Sequence, residues 1–129
     1  KIKKDKPIVA LISQNFLKTI NCNNLFRSIK QYPLFWIILI GEDSNLLEDE
    51  FDNLLELESI KNNNMLNVVT TNFQFSDLTI TDIEDIAYEF LFLPCPNDNC
   101  QYLSFLDLNH VADRKIFDFI KTQLNNKVT

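Results

Sequence analysis

Apolar positions along this chain fall into two kinds of run. Pro7 is followed by Ile8-Val9-Ala10-Leu11-Ile12 without a polar interruption, and Tyr32-Pro33 by Leu34-Phe35-Trp36-Ile37-Ile38-Leu39-Ile40, which stops at Gly41. Short continuous runs of this kind fit strands covered on both faces. Met65 to Asn72, rich in β-branched residues, predicts a third strand, and Tyr102 to Asp107 a fourth.

Between them the period lengthens to that of a helix. Ser13 to Gln31 carries Phe16, Leu17, Ile20, Leu25, Phe26 and Ile29 as its apolar set, with Asn21-Cys22-Asn23-Asn24 weakening the middle so that two short helices are an alternative. Leu46 to Ile60 places Leu47, Phe51, Leu54, Leu55 and Leu57 on one face and Glu48, Asp49, Asp52 and Glu56 on the other. Ser44 or Asn45 is expected to cap it, with Glu48 close enough to the first turn to gain from the amide dipole. Thr81-Asp82-Ile83-Glu84 fits a capping box, after which Ile83, Ile86, Ala87 and Phe90 face inward and Asp82, Asp85 and Glu89 outward. A last helix, capped by Asn109 or Asp113, buries Val111, Ala112, Ile116, Phe117, Ile120 and Leu124.

Four strand-helix units with short connections predict an α/β fold: one three-layer α/β/α domain over residues 1–129, residues 1–6 being a loose basic segment. The sheet is expected to be mostly parallel, doubly wound and four-stranded, in the order 2-1-3-4. Reading Tyr88 to Leu93 as a strand would give five. Phe73 to Asp77 and Asn97-Asp98-Asn99 read as loops.

Composition sharpens this picture only in its charge. From Glu42 to Glu89 there are thirteen acidic residues and one base, Lys61, whereas the rest of the chain has five acids and eleven bases. The net charge of −6 therefore hides a strongly acidic middle between basic ends. Acid pairs Glu48/Asp52 and Asp52/Glu56 stand i,i+4 and repel one another. A solvated helix face tolerates that, but mixed charges would have solubilised it at lower cost.

Candidate chemistry is sparse. A single glycine excludes the glycine-rich phosphate-binding turns, so no nucleotide cofactor is implied. Cys95, Cys100 and His110 supply too few ligands for zinc, and no metal is expected. An odd cysteine count, Cys22 being the third, predicts free thiols and a cytoplasmic location. The longest strongly apolar run is far below the ~20 residues that span a bilayer, and the basic start is followed by too short an apolar run for a secretory signal. Because residue 1 is Lys, the chain is expected to start after a missing first residue or inside a longer protein.

An acidic surface disfavours direct nucleic-acid binding and suits a basic protein, for which it imitates phosphate charge and speeds encounter. The expected function is a non-catalytic module that binds and neutralises a basic protein, as an immunity protein does a nuclease-type toxin. Its contact residues are expected to be Glu42, Asp43, Glu48, Asp49, Asp52, Glu56, Asp82, Asp85 and Glu89, with Phe73, Phe75 and Tyr88 as apolar anchors. The alternative is a small hydrolase or phosphoryl-transfer enzyme. It would gather Asp43, Asp107 and His110, with Ser13 or Ser44, at the carboxyl ends of the strands.

Overall fold

The computed structural model describes residues 2–95 and 99–128. Lys1 and the expected loop positions Asn97 and Asp98 lie outside them. Strands β1 (Ile8–Ser13), β2 (Leu34–Gly41), β3 (Val69–Gln74) and β4 (Gln101–Phe105) form one all-parallel sheet. Helices α1 (Cys22–Ile29), α2 (Ser44–Glu58), α3 (Ile80–Leu91) and α4 (Val111–Val128) follow the strands in turn.

Strand order is β3-β2-β1-β4, not the 2-1-3-4 expected. Burial explains the difference. Every residue of β1 is buried, which suits an interior place beside β2. In contrast, β3 carries Thr70, Thr71 and Asn72 on both of its faces, and a strand with polar residues on both sides belongs at an edge.

Alternate residues of β1 enter two separate apolar clusters. Val9 and Leu11 join Ile83, Ile86, Ala87 and Phe90 of α3 and Ile116 and Ile120 of α4. Ile8, Ala10 and Ile12 join Leu25, Phe26 and Ile29 of α1 and Phe51 and Leu55 of α2. The division follows from the strand order. Two successive crossovers in one direction leave their helices on one face, and the return past β1 to β4 places the next on the other.

Several boundaries differ from the sequence expectation. The stretch after β1 is a single 3-10 turn, Phe16–Lys18, followed by α1, whose cap Asn21 accepts from the Asn24 amide at 2.9 Å. Residues 63–67 form a second 3-10 turn that buries Met65, so β3 starts at Val69 and takes in Phe73 and Gln74. Helix α2 is entered at Asp43 with no side-chain cap, and its first turn holds no acid, so Glu48 is too far along to act there.

The capping box of α3 is Thr79 with Asp82, two residues earlier than Thr81 with Glu84. Leu78 before that cap and Ile83 after it share one apolar cluster, a hydrophobic staple that fixes the earlier start. Tyr88 to Leu91 is helical, which removes the fifth strand. Asp113 sits inside the first turn of α4 instead of capping it. Cys95 and Cys100 are joined in a disulfide, with Cα atoms 6.2 Å apart, where free thiols were expected. Both are buried against the cluster that contains α3, a position that holds the sulfurs together.

Beyond the sheet, Gln101 secures the basic N-terminal segment. Its side chain accepts from the Lys3 amide at 2.8 Å and donates to the Lys6 carbonyl at 2.8 Å. Among the described residues no helix is long and apolar enough to cross a membrane.

Candidate functional site

Edge strand β3 is where the acidic residues meet. Its side chains alternate between the two faces of the sheet, so Thr70 and Asn72 turn toward α2 while Thr71 turns toward α3. The Thr70 hydroxyl reaches Glu48 Oε2 at 3.0 Å and also a carboxylate oxygen of Asp52. Asn72 donates to the other Glu48 oxygen and accepts from the buried Ser44 hydroxyl at 3.2 Å. On the far side, Trp36 Nε1 donates to Thr71 at 3.3 Å, and Thr71 donates to Glu89 Oε2 at 2.7 Å.

The consequence is a rim of carboxylates contributed from both faces of the sheet and held against one edge. It is not one acidic surface shared by two adjacent helices, because α2 and α3 pack in different clusters. The donors that position these acids are neutral hydroxyls and an amide. One Thr70 proton is offered to two carboxylates, which leaves acceptor capacity open toward solvent. Among the described residues, ion pairs join Lys30 to Glu58 and Arg114 to Asp118, His110 Nε2 lies 3.6 Å from Asp107, and none of these contacts involves the rim.

The remaining predicted contact residues divide by environment. Asp49, Asp52, Glu56 and Asp85 are exposed on their helices. Asp82 is half-buried and committed to the α3 cap, where it accepts from the Thr79 amide at 3.0 Å. Asp43 accepts from Gln14 at 3.2 Å, and the exposed Glu42 presents its carbonyl to Gln74 at 3.0 Å. Phe73 and Phe75 are partly buried against the core and are not free anchors. Tyr88 is largely exposed, with its ring 5.9 Å from that of Phe92.

Of the residues of the enzymatic alternative, Asp107 and His110 meet, whereas Asp43, Ser13 and Ser44 are bonded to other partners. The topology reverses between β1 and β4, the position at which open parallel sheets place ligands. A crevice of about 170 Å³ does lie at the carboxyl ends there, lined among others by Ser13, Gln14, Lys18, Glu42 and Asp113. His110 instead lines a separate cleft with Arg114 and Lys115, its Nε2 3.6 Å from Asp107. Ser13 gives its proton to Asp113 and Ser44 gives its own to Asn72, so neither serine is paired with the histidine.

Asp113, expected only as a cap of the last helix, has a role at the strand ends that sequence reasoning missed. Only 1% exposed, it accepts from the Ser13 hydroxyl at 2.6 Å, the Asn15 amide group at 3.1 Å and the Asp107 backbone amide at 2.8 Å. These bonds tie the ends of β1 and β4 to α4. The nearby Gly41, at φ +138°, allows Gln14 to lie across it, since a Cβ there would come within 2.6 Å of the Gln14 Cβ. Gln14 also accepts from the Asp43 amide at 2.7 Å, which sets the start of α2.

No family model matches the chain, and neither the curated proteins nor the solved structures contain a significant match to it.

Proposed function

We propose that this chain is a non-catalytic module that binds a basic protein through the carboxylate rim around β3, in the manner of an immunity protein against a nuclease-type toxin. The observation that supports this is the set of rim acids held by neutral donors and, among the described residues, free of ion pairs, which presents a negative field with unused acceptors. A basic partner would satisfy those acceptors with Lys or Arg, and opposite fields would steer its approach. The expected cytoplasmic setting rested on free thiols, and the Cys95–Cys100 disulfide removes that ground.

Asp49, Asp52, Glu56 and Asp85 are the positions to alter, because they are exposed and their reversal leaves the core intact. Copurification of a basic protein with the unaltered chain is expected to weaken as salt rises from about 0.05 to 0.5 M, over which screening shortens severalfold in reach. It is expected to be lost when those four are changed to Lys. Retention by the fourfold variant and by Glu48→Lys with Glu89→Lys, with no dependence on salt, rejects the rim as a binding surface.

A further inference from the structure

The outward side of α2 changes character along its length. Asp49 stands three and four residues before Asp52 and Asn53, and Glu56 the same distances after Asn53 and Asp52, so the four form one stripe on the helix. All four are exposed. The stripe runs into Leu57 and then Ile60 in the turn that ends the helix. Periodicity assigns Leu57 to the buried face, yet it is 65% exposed, Ile60 82% and Leu66 65%. These three side chains line one open cleft of about 730 Å³ together with Asn53, Glu56 and Ser59.

Single exposed leucines are ordinary, but three large aliphatic groups around one concavity mark a surface made for burial. Charge indicates the occupant. Carboxylates border the apolar cleft on its α2 side, the nearby Glu58 is already paired with Lys30 at 3.0 Å, and Lys61 stands exposed just past Ile60. From Asp49 to Ile60 the stripe is about 16 Å long at helical rise, matching roughly three turns of a partner helix.

We infer that the cleft formed by Leu57, Ile60 and Leu66 is the anchor point for a basic amphipathic helix of the partner. Its apolar side chains fill the cleft while its Lys or Arg residues lie over Glu56, Asp52 and Asp49. This rests on the acidic-surface reading and adds where the affinity resides: the carboxylates govern approach and register, and the aliphatic cleft holds the complex together.

The test uses a synthetic three-turn helical peptide with Leu on one face and Lys on the other, and a scrambled peptide of the same composition. Binding to the full chain is read by fluorescence anisotropy. Tighter binding of the amphipathic peptide than of the scrambled one is expected. Leu57→Ser with Ile60→Ser should weaken it about tenfold or more while the salt dependence persists. Both sites are exposed, and circular dichroism with a thermal melt confirms that the variant is folded.

Equal binding of the two peptides, or unchanged affinity in the folded double-serine variant, overturns the cleft. In the second case, loss of binding on Asp49→Lys, Asp52→Lys and Glu56→Lys would show that the acidic surface acts without it. Insensitivity to those reversals combined with loss in the serine variant would uphold the cleft and reject the electrostatic reading. Concentration-dependent dimers in sedimentation, abolished by the serine variant, would assign the cleft to a second copy of the chain and overturn the proposal.

Discussion

Replacing Asp113 by Ala removes the acceptor on which three donors converge. Asp107 N–H is part-buried and fixed by the backbone, so it cannot turn to another partner, and a donor left unpaired in a buried place costs about 1–3 kcal/mol. The Ser13 hydroxyl is buried, but it can rotate, so its share is the lower end of that range. Asn15 is half-exposed and can turn to water. Relief of the cost of burying a carboxylate offsets part of the loss, giving an expected destabilisation of about 2–4 kcal/mol. Against a total of about 5–15 kcal/mol for an ordinary domain this is a large fraction, and it lowers the melting temperature by roughly 10 °C.

Urea unfolding followed by fluorescence of the single tryptophan, Trp36, measures the effect, with an unchanged slope showing that both states keep their compactness. Ser13→Ala alone should cost about 1–2 kcal/mol, because its oxygen also accepts from the Phe16 amide at 3.1 Å, and measurably less once Asp113 is already Ala, since the bond the two share is then gone. A loss below about 1 kcal/mol for Asp113→Ala would refute the view that this carboxylate joins β1, β4 and α4. Full additivity in the double variant would do the same.

Other perturbations have equally definite outcomes. Gly41→Ala should destabilise by about 2 kcal/mol or more, because the positive φ and the Gln14 side chain both oppose a Cβ; thermal melting reads this directly. Burial, with a hydrogen bond to and repulsion from Glu50, pushes the Cys22 thiol from 9.0 up to about 12. Its contribution to stability is therefore complete below pH 9 and declines as pH rises toward 12, where the unfolded chain alone has released the proton. At neutral pH Cys22 should react with iodoacetamide only after unfolding, and rapid alkylation of the native chain would contradict this placement. Opening the Cys95–Cys100 disulfide by Cys100→Ser is expected to cost about 2 kcal/mol by the loop-entropy relation for so short a loop, measured as a shift in the urea midpoint.

How far the fold could be read from the chain depended on whether local pattern or long-range pairing decides each feature. Ile8 to Ile12 and Leu34 to Ile40 declared themselves, because burial on both faces forbids polar residues. The inward faces of α2 and α3 were equally plain at Phe51, Leu55, Ile83 and Phe90. Strand order was not, since nothing in a run of apolar residues says which run lies beside it. Thr70-Thr71-Asn72 did hold a usable signal: polar side chains on both faces point to an edge, and hydroxyls there are natural donors to nearby acids. Met65 was assigned to a strand on composition, although a 3-10 turn buries it as well.

The acidic residues were legible one by one as charges, but not their arrangement. Their convergence on one edge follows from β3 lying outermost, and that is a property of the topology. Leu57 shows the limit of periodicity in the other direction. Its spacing fits the apolar set of α2, but Phe51, Leu54 and Leu55 already occupy the contact with α1 and the sheet. Asp113 was visible as a first-turn acid, while its partners Ser13 and Asn15 lie about a hundred positions away, beyond what any local motif can reach.

A strand at the margin of a sheet invites a duplicate of itself to add on. Here two molecules approaching margin to margin would bring Glu48, Asp52 and Glu89 of one against the same groups of the other. At neutral pH that mutual repulsion keeps the chains apart without a proline or a bulge, the devices many sheets use for the purpose. The protection is ionic, so salt that screens these charges should weaken it and let the margins adhere.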